Sequence, residues 1–226
     1  METATLEDRF VCAVRESYGE YNTHGARSSK KLRPLHQWVA EEIERELGAE
    51  YKTESLRKDS GREETIAGKY YDKVVDVSIS KKGGAPLAII SIKFITSNFK
   101  QNANNYFEHL MGETANIRRA GVGFGHLMVL PEKIPYLKRG GQKDHTEEIG
   151  DAHLQKYVEL SNDTDHPHRP DVIGIGIVSL HKSPDKIELA DVRKMKLRAE
   201  IQSALANELS VPNFFQKMKL LTQTKA

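Results

Sequence analysis

Three residues of this chain are of the types that could form an oxygen-rich site for a hard divalent cation with an ammonium group beside it: Asp76, Lys93 and Glu108. Carboxylate oxygens bind hard divalent cations. Mg²⁺ in particular binds through one or two carboxylates and keeps several waters. Lys93 sits inside the apolar run 87–95, and a lysine there must be paired or used, because burying an unpaired charge is costly. Asp76 is its natural partner across a hairpin.

The elements that must position these groups follow from periodicity. Residues 70–79 and 87–95 read as adjacent strands joined by a Lys/Gly-rich turn at 81–84. Alternate strand residues share a face, so Asp76 lies with Val74 and Ser78, opposite Val75, Val77 and Ile79. Ser91 and Lys93 share a face with Leu87, Ile89 and Ile95, opposite Ile90, Ile92 and Phe94. A strand apolar on both faces reads as central and buried. The segment 97–118 reads as a helix whose apolar side runs through Ala103, Phe107, Leu110 or Met111, and Ile117. Its polar stripe holds Gln101, Asn104, Asn105 and Glu108, and Glu108 borders the apolar side, within reach of the sheet. Glu113 turns to a different side of the helix and is the reserve second carboxylate. Glu41, Glu42 or Glu46 of the 35–47 helix is a further one.

An Asp, a hairpin turn and a strand ending in x-x-Lys resemble the active-site core of the PD-(D/E)xK nucleases, the type II restriction endonucleases among them. Ser91-Ile92-Lys93 is similar to the branch with (S/T)xK, which carries its second carboxylate on the following helix, where Glu108 stands. The chain departs from the common pattern in three ways. Ser91 occupies the usual acidic position two before the lysine, no proline precedes Asp76, and the Asp-to-Lys gap is shorter than in that branch. The resemblance covers about residues 60–180. It implies an α/β fold with a restriction-endonuclease-like core, a mixed central β-sheet flanked by helices. It also implies Mg²⁺ held by Asp76, Glu108 and the backbone carbonyl of Ile92, with Lys93 orienting a water and stabilising charge on phosphorus. Ser91 and Glu113 would stand one layer further out. The function so implied is site-specific hydrolysis of double-stranded DNA by a homodimer.

Recognition of a DNA sequence needs donors and acceptors at base edges, where Asn and Gln pair with adenine and Arg with guanine. Ser97, Asn98, Gln101, Asn102, Asn104 and Asn105 are expected at the N-terminal end of the helix leading to Glu108, with Arg118 and Arg119 as further candidates. Capping of the helix by Ser97 or Asn98 is the bland alternative. Lys30 and Lys31, in a cluster with Arg27 and Arg33, suit phosphate contacts. Lys138, Arg139 and Lys143 form a second basic cluster, and Arg193, Lys194, Lys196 and Arg198 a third.

The 226 residues and net charge of +2 suit one globular domain. The expected parts are a helical region 1–60, a catalytic core 61–180 and C-terminal helices 181–226. No apolar run reaches the length of a membrane span and the N-terminus lacks a secretory pattern. A single Cys12 excludes an internal disulfide and a Cys-based zinc site. A cytoplasmic setting is the simplest expectation. Pro34 opens a helix over 35–47, and 171–180 reads as a buried strand whose glycines permit close backbone approach. Gly121–Gly125 precedes a strand, the wrong order for a dinucleotide fingerprint. Residues 138–150 read as a charged loop and 186–209 as one long helix. The apolar tail of Phe214, Phe215, Met218 and Leu221 must bury against the body or a second subunit. Two alternative functions are a non-catalytic DNA- or protein-binding module and a structure-specific DNA repair nuclease.

Overall fold

The chain begins with two helices whose ends are written in their sequences. In a computed structural model, which describes residues 4–25, 28–138, 142–164 and 166–226, α1 spans Leu6–His24 and α2 spans Arg33–Leu47. Thr5 and Asp8 cap α1 reciprocally, each side chain accepting from the other's backbone N–H. Pro34 occupies the first turn of α2, and Gly48 ends it at φ 85°, a left-handed conformation that favours glycine.

The strands and remaining helices follow as β1 (Tyr51–Ser55), β2 (Glu64–Ala67), β3 (Asp72–Val75), β4 (Val77–Lys81), β5 (Pro86–Phe94), α3 (Phe99–Arg118) and β6 (Gly123–Pro131). Then come β7 (Lys133–Leu137), β8 (Lys143–Glu148), α4 (Asp151–Asn162), β9 (Val172–Ser179), β10 (Glu188–Leu189), α5 (Ala199–Ala206) and α6 (Val211–Thr224). A six-stranded mixed sheet forms in the order β1-β4-β5-β6-β9-β10. The β5–β6 and β6–β9 pairs are parallel and the outer pairs antiparallel. The fold is thus α/β, a mixed central sheet flanked by helices. The two remaining hairpins, β2–β3 and β7–β8, stand apart from it.

Side-chain alternation along β5 sorts the core into two layers. Ala88, Ile90, Ile92 and Phe94 pack with α1, α2 and α6, whereas Ile89 and Ile95 pack with α3, α4 and α5. The glycines of β6 and β9 let helices approach the sheet. A Cβ on Gly174 would lie 2.8 Å from the Phe214 ring, and one on Gly125 would strike the Met218 sulfur.

Three sequence-based expectations change here. The segment 70–79 is not one strand, because a bend at Asp76 divides it into β3, which pairs with β2, and β4, which pairs with β1 and β5. Val75 consequently joins one core layer while Val77 and Ile79 join the other. The charged stretch 138–150 contributes β8 to a hairpin with β7. The expected long helix over 186–209 is instead β10, a 3₁₀ turn and the short α5. The apolar tail takes the first of its two expected courses and buries within its own chain, Phe214, Phe215 and Met218 being 0–1 % exposed in the layer with Trp38. Among the described residues, no helix is long and apolar enough to cross a membrane.

A candidate metal centre at the base of a hairpin

Asp76 and Glu63 flank the β2–β3 hairpin, each one residue outside its last ladder pair, Glu64↔Val75. Antiparallel pairing therefore brings together two carboxylates separated by twelve intervening residues. His36, in the second turn of α2, completes the group. One ligand atom from each of His36, Glu63 and Asp76 lies within 4.8 Å of the others. α2 is held in place by its packing on α1 and the sheet, where the Leu35 N–H donates to Ser17 Oγ at 3.1 Å and Trp38 meets the Phe10 ring at 5.3 Å.

The electrostatics of the three residues suit a cation. Burial raises the Asp76 carboxyl to about 6, against the opposing pull of the Ile92 amide and the Lys93 ammonium. Burial also raises Glu63, and the neighbouring Asp76 charge raises it further. His36 is fully buried, and neither ring nitrogen has a hydrogen-bond partner among the described residues. Its burial lowers the imidazole to about 4, leaving a neutral ring with a lone pair to donate. Two carboxylates that repel one another and a buried imidazole without a partner are a donor set that a divalent cation would satisfy.

Lys93 stands beside this group on β5. Its strand is fastened to Asp76 by the Ile92 N–H, which donates to Asp76 Oδ2 at 2.6 Å. Lys93 Nζ lies 5.3 Å from the ring centroid of Tyr106 on α3. Lys31, in the 3₁₀ turn before α2, feels the Lys93 charge, and burial together with that repulsion lowers its own ammonium. Lys31 Nζ itself lies over the Tyr21 ring, 5.6 Å from the centroid. Lys30, its neighbour, is exposed.

Glu108 is corrected by this geometry. It is exposed, its charge acts on Lys156 of α4, and it is absent from the group around Asp76. The reason is helical phase. Tyr106 faces Lys93, and a residue two positions on points away, whereas one seven positions on returns to the same side. That residue is Glu113, which accepts from Lys73 Nζ at 2.6 Å and whose charge acts on Asp76. The second carboxylate that the fold brings to Asp76 is Glu63. None of the α2 glutamates expected as alternatives approaches either. Glu42 is buried between Arg9 and Arg45, Glu46 pairs with Lys219 at 3.2 Å, and Glu41 accepts from Gln37 at 2.7 Å. Ile92 meets Asp76 through its amide, the contact just described, while its side chain lies in the core.

The expected DNA contacts are scattered. Asn98 Oδ1 accepts from the Leu137 N–H at 2.8 Å, so this side chain fastens β7 to the start of α3. Asn102 Nδ2 donates to the Asn98 carbonyl at 3.2 Å and Asn104 Oδ1 accepts from Lys156 at 3.1 Å. Ser97 is half-buried, and Gln101 and Asn105 are exposed on α3. Arg118 pairs with Asp171 at 2.9 Å, and Arg119 stacks its guanidinium over Tyr70, 5.9 Å from the ring centroid. Arg27 and Arg139 lie outside the described residues. In the third basic cluster Lys194 pairs with Asp191 and Arg198 with Asp151 and Glu200.

Sequence reasoning passed over His36, Glu63 and His126. His126 pairs in register with Ser91 on the next strand and is 3 % exposed with both ring nitrogens unpartnered among the described residues. Burial, and then the Lys93 charge, lower it to about 3, which keeps it neutral. A histidine in the second turn of an amphipathic helix reads as an interior residue, and an acid in a polar loop reads as surface. The one sequence signal was Glu63's place at the mouth of a segment that pairs with the strand before Asp76. In comparison with known proteins, no family model, no curated protein and no solved structure matches this chain.

Proposed function

We propose that the chain is a divalent-metal-dependent endonuclease that hydrolyses phosphodiester bonds of double-stranded DNA at specific sites, the role of a type II restriction enzyme. The single observation carrying this reading is the meeting of His36, Glu63 and Asp76 within 4.8 Å, with the Asp76 carboxylate tied to the strand of Lys93. Asp76, Glu63 and His36 would hold the ion. Mg²⁺ suits the two carboxylates, and the imidazole nitrogen makes Mn²⁺ an equally good occupant. Such an ion, when bound, polarises a phosphoryl oxygen and makes a water more acidic. Lys93 and Lys31 supply positive charge for the scissile phosphate and for the charge that develops on it. Tyr106 keeps the Lys93 ammonium in place through its ring face. Glu113 holds Lys73 beside Asp76 and so shapes the local field.

One such site cuts one strand, so the active form we propose on a symmetric sequence is a twofold dimer. The test is incubation of the purified chain with supercoiled plasmid in Mg²⁺, in Mn²⁺ and in EDTA. Discrete linear fragments that require metal and vanish in Asp76→Asn and Lys93→Ala support the reading. Plasmid left intact under all metals overturns it, and nicking confined to branched or mismatched duplexes assigns the same chemistry to repair.

A further inference from the structure

The β2–β3 hairpin ends in an exposed aromatic tip. Tyr70 is 67 % and Tyr71 50 % exposed, and Val74 on the outward face of the hairpin is 53 % exposed. Large hydrophobic side chains grouped on one projecting element mark an interaction surface. Alternation explains how the hairpin stands. Ile66 is buried and Lys73 pairs with Glu113, so this face lies on α3. The opposite face, with the pairs Thr65↔Val74 and Ala67↔Asp72, is exposed.

The tip is also held rigid. Asn116, 1 % exposed near the end of α3, accepts from the Tyr70 and Tyr71 N–H groups at 2.9 and 3.3 Å and donates to the Tyr71 carbonyl at 2.9 Å. The Lys69 N–H donates to the Asn116 carbonyl at 2.9 Å. Gly68 is required for this clamp, because a Cβ there would collide with the Asn116 amide. A turn whose backbone is fastened at four points while its two aromatic rings face outward is preorganised for a partner.

Positive charge lies beside the rings. Lys69 is exposed, Arg119 lies over Tyr70, and Arg119 lines a cleft of about 210 Å³ with Lys225 and with Arg118, which is paired to Asp171, while the exposed Asp72 is the one acid next to the tyrosines in sequence. Tyrosine hydroxyls and ring edges set beside Lys and Arg suit the phosphates and base edges that a duplex offers. The hairpin leaves the metal centre at its base and places Tyr71 and Tyr70 five and six residues before Asp76, about 17–20 Å away at ~3.3 Å per strand residue. That length is about five to six base pairs at ~3.4 Å each. A two-stranded ribbon fits the major groove of B-DNA.

We infer that the β2–β3 hairpin is the DNA-reading finger of this chain, laid along the duplex from the scissile phosphate with Tyr70 and Tyr71 against base edges about five to six pairs away. The inference rests on the nuclease reading for the identity of the duplex and adds the element that senses sequence. One hairpin thus carries the metal carboxylates at its base and the recognition rings at its tip.

The experiment compares the full chain with Tyr70→Ser/Tyr71→Ser. Binding to a fluorescein-labelled pool of random-sequence 40-base-pair duplexes is read by anisotropy in Ca²⁺ at fixed salt, alongside Mn²⁺ titration and thermal melting. The expected result is duplex affinity weakened about tenfold or more, with Mn²⁺ affinity and melting temperature unchanged. Unchanged duplex affinity overturns the inference, and so does an altered sedimentation coefficient with unchanged affinity, which would make the tip a contact between copies. Wild-type binding that depends on the tyrosines but never leads to cleavage sinks the nuclease reading and leaves the finger standing. Cleavage at the same sites by the double variant does the reverse.

Discussion

The backbone N–H of Ile92 donates to the Asp76 carboxylate at 2.6 Å, which ties the acid of the bend between β3 and β4 to the residue immediately before Lys93. This bond couples the two charged groups on which the proposed chemistry depends. It also explains why Asp76 remains ionisable near neutral pH despite its burial, since a donor to the charged form favours that form.

The ligand set is tested by substitution. Glu63→Gln and His36→Ala should each weaken Mn²⁺ binding by at least tenfold, about 1.4 kcal/mol, and Asp76→Asn should abolish it. Glu108→Gln should leave it unchanged. Isothermal titration reads all four, and a Glu108 variant that loses the ion while Glu63→Gln keeps it would reinstate the helix carboxylate.

Metal binding should depend on pH through Asp76. A cation binds the ionised carboxylate, so its affinity should fall about tenfold per unit below the Asp76 value near 6 and level off above it. His36 stays neutral across this range because its own value lies near 4. Titrations in two buffers of different ionisation enthalpy at pH 5.5 should reveal proton release, and no release would place the ion elsewhere.

Linkage gives the metal-free protein an unusual pH profile. The folded chain holds the Asp76 proton more tightly than the unfolded chain does. The stability so contributed is full below the unfolded value of about 3.9 and is lost as pH rises through about 6. Urea midpoints should therefore decline over this window in EDTA, relative to Asp76→Asn, in which the decline is absent.

Lys93→Met should remove cleavage while leaving duplex binding within about threefold, since one phosphate contact among many is lost. The same change removes a cation that lowers Asp76, so the midpoint of the metal-binding pH profile should move upward. A midpoint that stays in place would show that the ammonium does not act on this carboxylate.

Gly174→Ala tests the fold apart from the site. Its Cβ would meet the Phe214 ring at 2.8 Å, a buried aromatic with little room to move. The expected loss is about 1–3 kcal/mol in denaturant titration, with Mn²⁺ affinity retained.

The sequence alone was enough for what local periodicity encodes. The two faces of β5, the proline-opened and glycine-ended α2, the helical period of α3, the glycine-bearing strand β9 and the α/β order all followed from side-chain periodicity and from Pro34 and Gly48. Asp76 and Lys93 were legible because they are polar residues set within apolar strand patterns. Their remaining companions were decided by tertiary structure. Helical phase says which residues of α3 share a side, yet only packing on the sheet decides that the side of Tyr106 and Glu113, and not that of Glu108, faces Lys93. Likewise His36 and Glu63 lie in separate elements that meet Asp76 only once α2 packs on the sheet and β2 folds back on β3. A residue's spacing constrains its neighbours along one element, and contacts between elements depend on core packing distributed over the whole chain.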